Sequence, residues 1–281
     1  MSALSLAYSP CPNDTFIFAA WTRALMPDAP PVDVVLEDVE ALNLAAREAR
    51  HALTKVSYGA IPYVLQDYRI LRAGGALGRG CGPLVIATPE FARRVGTLEA
   101  LPREARIAIP GELTTAYLLL RLALGRPVEA VVMRFDRIVD AVAAREVDAG
   151  LIIHESRFTY AAAGLASLGD LGAWWESATG RPIPLGAVLA RRDLGDAAAR
   201  AIDATIRRSL AFAYANRATV APYVREHAFE MDPAVMAAHI ALYVNDYSND
   251  LGDDGIAAIG ALFERAAAAG LVPPDTRPDF I

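Results

Sequence analysis

Few residues in this chain have the type and setting to do chemistry, and His154 stands out among them. It follows the apolar run Gly150-Leu151-Ile152-Ile153 and opens the polar string His154-Glu155-Ser156-Arg157. A short apolar run of this kind reads as a buried parallel strand, and in open α/β sheets ligands bind at the carboxyl ends of the strands. An imidazole held there, with an ordinary pKa of about 6.5, suits proton abstraction at neutral pH; a hydrogen-bonded structural histidine is the alternative. Lys55 is the only lysine among 27 basic residues, and it lies with Ser57 near the end of a second strand candidate, His51–Ser57. Two further stretches are anion-site candidates. Ser9-Pro10-Cys11-Pro12-Asn13-Asp14-Thr15 joins a strand to a helix, with Asn13 or Asp14 as cap and the free first-turn amides facing a crevice. Thr114 and Thr115 open another helix, where hydroxyl and amide together can hold a carboxylate or phosphate. Both stretches also make sense as plain caps.

The elements that must position these groups alternate. Strands are expected at Leu4–Tyr8, Val32–Leu36, His51–Ser57, Leu84–Ala87, Arg106–Ile109, Glu129–Arg134, Gly150–Ile153 and Pro182–Ala190, with a weaker one at Tyr68–Arg72. Helical patterns lie between them at about Phe16–Leu25, up to Arg50, Tyr58–Gln66, Ala116–Leu124 and Asp136–Arg145. This implies α/β architecture with two doubly wound lobes. From Asp196 to Ala269 the pattern is helical. Lobes joined by crossing strands near Ala87 and Ala190 make a hinged protein with its ligand cleft between them, a periplasmic-binding-protein-like fold of type II. The expected division is 1–87 with 188–281 for the larger lobe and 88–187 for the smaller. The glycine-dense stretch Gly74–Pro83, which includes Gly78, lacks the phosphate-loop pattern and precedes a strand, so it reads as a hairpin or hinge strand whose backbone can approach a ligand.

Composition narrows the function. The chain has 281 residues, 54% hydrophobic and 21% charged, long enough for two cores. The net charge of −6 with scattered basic residues argues against nucleic acid. No apolar run reaches the roughly 20 residues of a membrane span, and the first residues do not form an export signal. A cytoplasmic location follows as the expectation, with Cys11 and Cys81 reduced. The four histidines are dispersed, and His154-Glu155 is not a zinc motif because Phe158 stands where the second histidine would be. No metal, no other cofactor and no covalent nucleophile is expected. Trp174 and Trp175 are open to stacking on an aromatic substrate or to packing.

Several strings combine into a recognisable set: Ser9-Pro10-Cys11-Pro12-Asn13-Asp14-Thr15-Phe16, Leu36-Glu37-Asp38-Val39-Glu40, Gly74–Gly80, Thr114-Thr115-Ala116-Tyr117, Gly150–Tyr160, Asp170–Glu176 and Pro184-Leu185-Gly186-Ala187. Together they resemble the 1,4-dihydroxy-6-naphthoate synthase family of the futalosine route to menaquinone. The resemblance implies a cofactor-independent carbon–carbon lyase that converts cyclic dehypoxanthine futalosine to 1,4-dihydroxy-6-naphthoate and releases dihydroxyacetone. It also implies that His154 matches the family's histidine proposed as base. Ser57, the loop with Gly78, Thr114 and Thr115 fall where that family builds its pocket wall. Ser9, Asn13, Asp14 and Lys55 complete the expected substrate-binding set for a carboxylated small molecule. A chorismate dehydratase-type sister enzyme and a non-catalytic solute-binding protein are the alternatives. The sequence is compatible with a homodimer.

Overall fold

The computed structural model describes residues 3–229 and 232–281. Its strands are β1 (Leu4–Tyr8), β2 (Val32–Leu36), β3 (Leu53–Ser57), β4 (Tyr68–Ile70), β5 (Ala76–Gly78), β6 (Leu84–Ala87), β7 (Arg106–Ile109), β8 (Glu129–Val132), β9 (Ala149–Ile152), β10 (Ala166–Asp170) and β11 (Ile183–Arg191). They form a six-stranded sheet in the order β2-β1-β3-β11-β4, with β5 also on β11, and a five-stranded sheet in the order β10-β6-β9-β7-β8. Each sheet has the parallel core that strand–helix alternation demands: β2-β1-β3 in one and β9-β7-β8 in the other. The strands next to the crossings run the other way. β11 is antiparallel to β3, β4 and β5, and β6 is antiparallel to β9 and β10.

The chain changes sheets earlier than the expected crossing near Ala87. β6 hydrogen-bonds in the second sheet, so the first passage lies at Gly80–Pro83, and the return runs through the helix Leu171–Thr179 before β11. The glycine stretch does not form a hairpin, because β5 pairs with β11 and not with β6. The two passages touch backbone to backbone: a Cβ at Gly82 would collide with the backbone of Gly172. Arg157 fastens them, donating to the Gly82 carbonyl and, at 2.9 Å, to Asp170.

The helix after β1 spans Pro12–Thr22, with Cys11 as its N-cap and Pro12 in its first turn. It starts four residues before the expected Phe16, so Asn13 and Asp14 lie inside it and do not cap it. A proline at the first helical position costs nothing there, since its missing N–H has no intrahelical partner. This helix is buried almost all round from Pro12 to Trp21, as expected of one lying between a sheet and other helices. Ile17 and Phe18 share a core with Leu6, Leu53 and Val188 of the first sheet and with Ile202, Ile206 and Leu210 of the helix Gly195–Ala215. In the second lobe, Leu84, Ile86, Ala108 and Ile152 pack with Ile138 and Val142 of the helix Ile138–Ala143. That helix lies directly on β9, where Gly150 leaves no side chain in its way.

Candidate active site

The two sheets bring their parallel-strand ends together over one cleft, with about 710 Å³ of space counted to its mouth. Its walls include Ser9, Asn13, Asp14, Lys55, Ser57, Thr114, Thr115 and His154. Seven of the eight expected binding residues therefore share the cleft with the expected base. Gly78 does not. It lies in β5 opposite Ile183, facing Asn245 and Cys81.

On the first-lobe wall, Lys55 of β3 donates to the Asp14 carboxylate, and both side chains are buried. Asn13 Nδ2 donates to the same carboxylate oxygen at 2.7 Å. Burial pushes the Asp14 carboxyl above its ordinary value, and Lys55 opposes that shift. An ammonium has three donors, so Lys55 can serve Asp14 and still present a hydrogen to the cleft. Ser57 is oriented by Asn43: the Ser57 amide donates to Asn43 Oδ1 at 2.9 Å, and Asn43 Nδ2 donates to Ser57 Oγ at 3.2 Å. Asn43 also donates to Glu40 at 3.0 Å, and Glu40 accepts from the Leu113 amide of the other lobe at 3.0 Å. The polar chain Ser57-Asn43-Glu40-Leu113 thus crosses between the lobes. The helix Val39–Arg47 that carries it is capped by the Asp38 side chain, which accepts from the Glu40 amide.

Thr114 and Thr115 stand at the start of the helix Thr115–Leu124. Their hydroxyls are used by the fold. Thr114 donates to the Gly111 carbonyl at 2.7 Å and caps the Tyr117 amide, and Thr115 donates to the Leu185 carbonyl at 2.6 Å while accepting from Gly59. What they leave for a ligand is the first-turn amides, which have no intrahelical acceptor. The expectation of hydroxyl and amide acting together is corrected to that extent.

His154 follows β9 by two residues, with φ of 54°. A left-handed conformation is uncommon outside glycine and marks a position held by its surroundings. The ring meets Phe135 edge-on at 4.8 Å, and Nε2 has no hydrogen-bond partner among the described residues. Burial, then the Lys55 charge, pull its pKa down to about 4. At neutral pH the imidazole is unprotonated and able to accept a proton.

Sequence reasoning missed two cleft residues on the helix Pro233–Tyr243. His239 is 1% exposed, with its ring 6.2 Å from that of His154 and 4.7 Å from that of Tyr243. The available signal was a lone histidine in the apolar string Val235-Met236-Ala237-Ala238-His239-Ile240-Ala241. Cys11 and Cys81 also line the cleft. They are unpaired, and burial raises both thiols, Cys81 to about 12, so neither is an activated nucleophile. Trp174 and Trp175 are not on the cleft; Trp175 is buried and donates to the Pro182 carbonyl at 3.0 Å. Among the described residues no group of three His, Cys, Asp or Glu side chains is arranged to hold a metal ion, and no helix is long and apolar enough to cross a membrane.

Comparison with known proteins gives this cleft a context. Residues 4–268 match the family described as menaquinone biosynthesis. The chain belongs to that family. Over the whole of both chains it is 52% identical to the 1,4-dihydroxy-6-naphthoate synthase of Thermus thermophilus. It is 49% identical to the enzyme of the same name from Streptomyces coelicolor, over 96% of this chain and 95% of that one. Among solved structures, an Archaeoglobus fulgidus protein superposes with a TM-score of 0.87 at 36% identity, covering 96% of this chain and 98% of its own. The alkanesulfonate-binding protein of Xanthomonas axonopodis pv. citri, bound to MOPS, has the same fold, with a TM-score of 0.73 at 17% identity over 97% and 95% of the two chains. The architecture is thus that of periplasmic binding proteins, and the curated relatives that share half of the sequence are enzymes.

Proposed function

We propose that this protein is a lyase that needs no cofactor and converts cyclic dehypoxanthine futalosine to 1,4-dihydroxy-6-naphthoate, releasing dihydroxyacetone. The observation that carries the reading is His154: an unprotonated imidazole, with a nitrogen lacking any hydrogen-bond partner among the described residues, held by a left-handed turn in the wall of the cleft. His154 removes a proton from carbon next to the substrate ketone. The electrons released drive elimination and ring opening, and aromatisation of the new ring supplies the driving force. A substrate carboxylate at Lys55, and at the free amides of Thr115 and Ala116, fits the positive end of a helix beside a buried cation. It has a second consequence. Neutralising Lys55 removes part of what depresses His154 and brings the base closer to the working pH, where general-base catalysis is most effective. The lobes exclude water from the carbanionic intermediate, with the Glu40–Leu113 bond available to hold them together.

The test is direct. Purified protein treated with chelator is incubated with cyclic dehypoxanthine futalosine, and naphthoate formation is followed by chromatography. Naphthoate with one equivalent of dihydroxyacetone supports the reading. Turnover of chorismate instead would assign the chain to the sister reaction, and tight ligand binding with no turnover of either compound would make it a binding protein.

A further inference from the structure

His239 is used by neither the fold nor the reaction as described so far. It sits in the middle of an apolar helix, almost fully buried, and it lines the cavity. Its Nδ1 lies 3.8 Å from Glu155 Oε2, within ion-pair reach if the ring is protonated. Glu155 directly follows His154 in sequence. The helix Pro233–Tyr243 therefore sets one histidine against the carboxylate adjoining the other, with the two imidazole centres 6.2 Å apart, a separation that one water can span. Perturbed titratable groups gathered in a cleft mark a functional site.

The proposed reaction supplies a task. It consumes only the substrate, so a proton taken from carbon must be given back. When the carbon–carbon bond to the three-carbon fragment breaks, the fragment leaves with the bonding pair and needs one proton to become dihydroxyacetone. We propose that His239, oriented by Glu155, is the second acid–base group of this site and returns that proton. This rests on the lyase reading. In balanced form, a first substrate proton goes to His154 as the ring C–O bond breaks, and the alkoxide formed takes that proton; a second substrate proton goes to His154 and passes through a cleft water to His239; the C–C bond breaks; and the carbanion takes the proton from His239. Both rings end neutral, and no oxidant, reductant or net water is used. Burial, His154 and Lys55 all hold His239 below its ordinary value at rest, so it starts able to receive a proton. Glu155 favours its charged form once the proton arrives.

The experiment compares parent, His154→Gln, His239→Gln and Glu155→Gln in D2O, following product release and deuterium in recovered substrate, with substrate affinity measured separately. A removed acid–base group costs about 10²–10⁴-fold. For His239→Gln we expect product release to fall at least 100-fold with affinity within threefold, while substrate deuteration persists at ten or more times the rate of product release. Deprotonation by His154 then continues and only the return step has stalled. His154→Gln loses both signals. Glu155→Gln, which keeps the ring and its packing, lowers kcat with KM within twofold. Product release within threefold of parent in His239→Gln overturns the proposal. Joint loss of release and deuteration, with or without loss of binding, also overturns it. A folded parent protein that binds the substrate and forms no naphthoate refutes the lyase reading itself, before any variant is compared.

Discussion

Lys55→Met tests the electrostatics on which the cleft is built. Lys55 is 6% exposed and its partner Asp14 is 3% exposed, so the substitution leaves a carboxylate stranded among apolar and neutral polar atoms. Removing one member of a buried pair costs about 3–5 kcal/mol; for a chain of this length that is a fall in Tm of roughly 5–10 °C. The loss depends on pH. Burial already raises the Asp14 carboxyl and Lys55 is the main force lowering it, so the variant's native state holds a proton on Asp14 that the unfolded chain releases near the ordinary carboxylate value. Where the native state binds more protons than the unfolded state, stability falls as pH rises. Thermal melts of parent and variant between pH 5 and 8 should therefore diverge as pH increases. Asp14→Asn combined with Lys55→Met should recover more than half of the deficit. A single variant that melts within 1 °C of parent at pH 8, or a gap that widens towards acid, would refute the buried pair.

Three other outcomes follow from the same geometry. His154 has a folded pKa near 4, below the unfolded 6.5, so the unfolded chain binds more protons between those values and stability is lost as pH falls through that window; His154→Gln should flatten the acid limb of a Tm–pH profile, and an unchanged limb would contradict the assignment. Glu40→Gln weakens the bond to the Leu113 amide across the lobes and loosens Asn43, which orients Ser57. Initial-rate kinetics should show KM raised several-fold with a smaller change in kcat, and a pure kcat effect would count against it. Gly82→Ala drives a methyl into the Gly172 backbone at the inter-lobe crossing. Denaturant titration should register a loss of more than about 2 kcal/mol, and a neutral result would mean that the crossings are not in contact.

Much of this was legible from local pattern. β1, β2, β7 and β9 lie where apolar runs place them, and the polar string after β9 marked His154, because a strand delivering histidine, glutamate and arginine at its end has few reasons to do so. Pro12 was also a local signal, a helix start mistaken for part of a turn; Asn13 and Asp14 resemble caps in isolation, and only the presence of Lys55 some 41 residues later draws Asp14 inward. Other features depend on distant contacts. That β6 joins the second sheet is decided by its antiparallel pairing with β9 and β10, which strand-by-strand reading does not register. His239 enters the cleft only because its helix folds back over the loop after β9. Gly78 reads as a ligand-facing glycine because it sits in a glycine-dense string; its pairing with Ile183 and its closeness to Asn245 and Cys81 are long-range features that the string does not carry.

The central claim is that His154 initiates cleavage of a bound substrate. The measurement that bears on it most directly is single-turnover formation of 1,4-dihydroxy-6-naphthoate from cyclic dehypoxanthine futalosine by parent and His154→Ala, at enzyme concentrations that saturate the substrate. The account predicts product from the parent, a rate at least 100-fold lower in the variant and substrate affinity within a few-fold. Equal rates in the two proteins would contradict it.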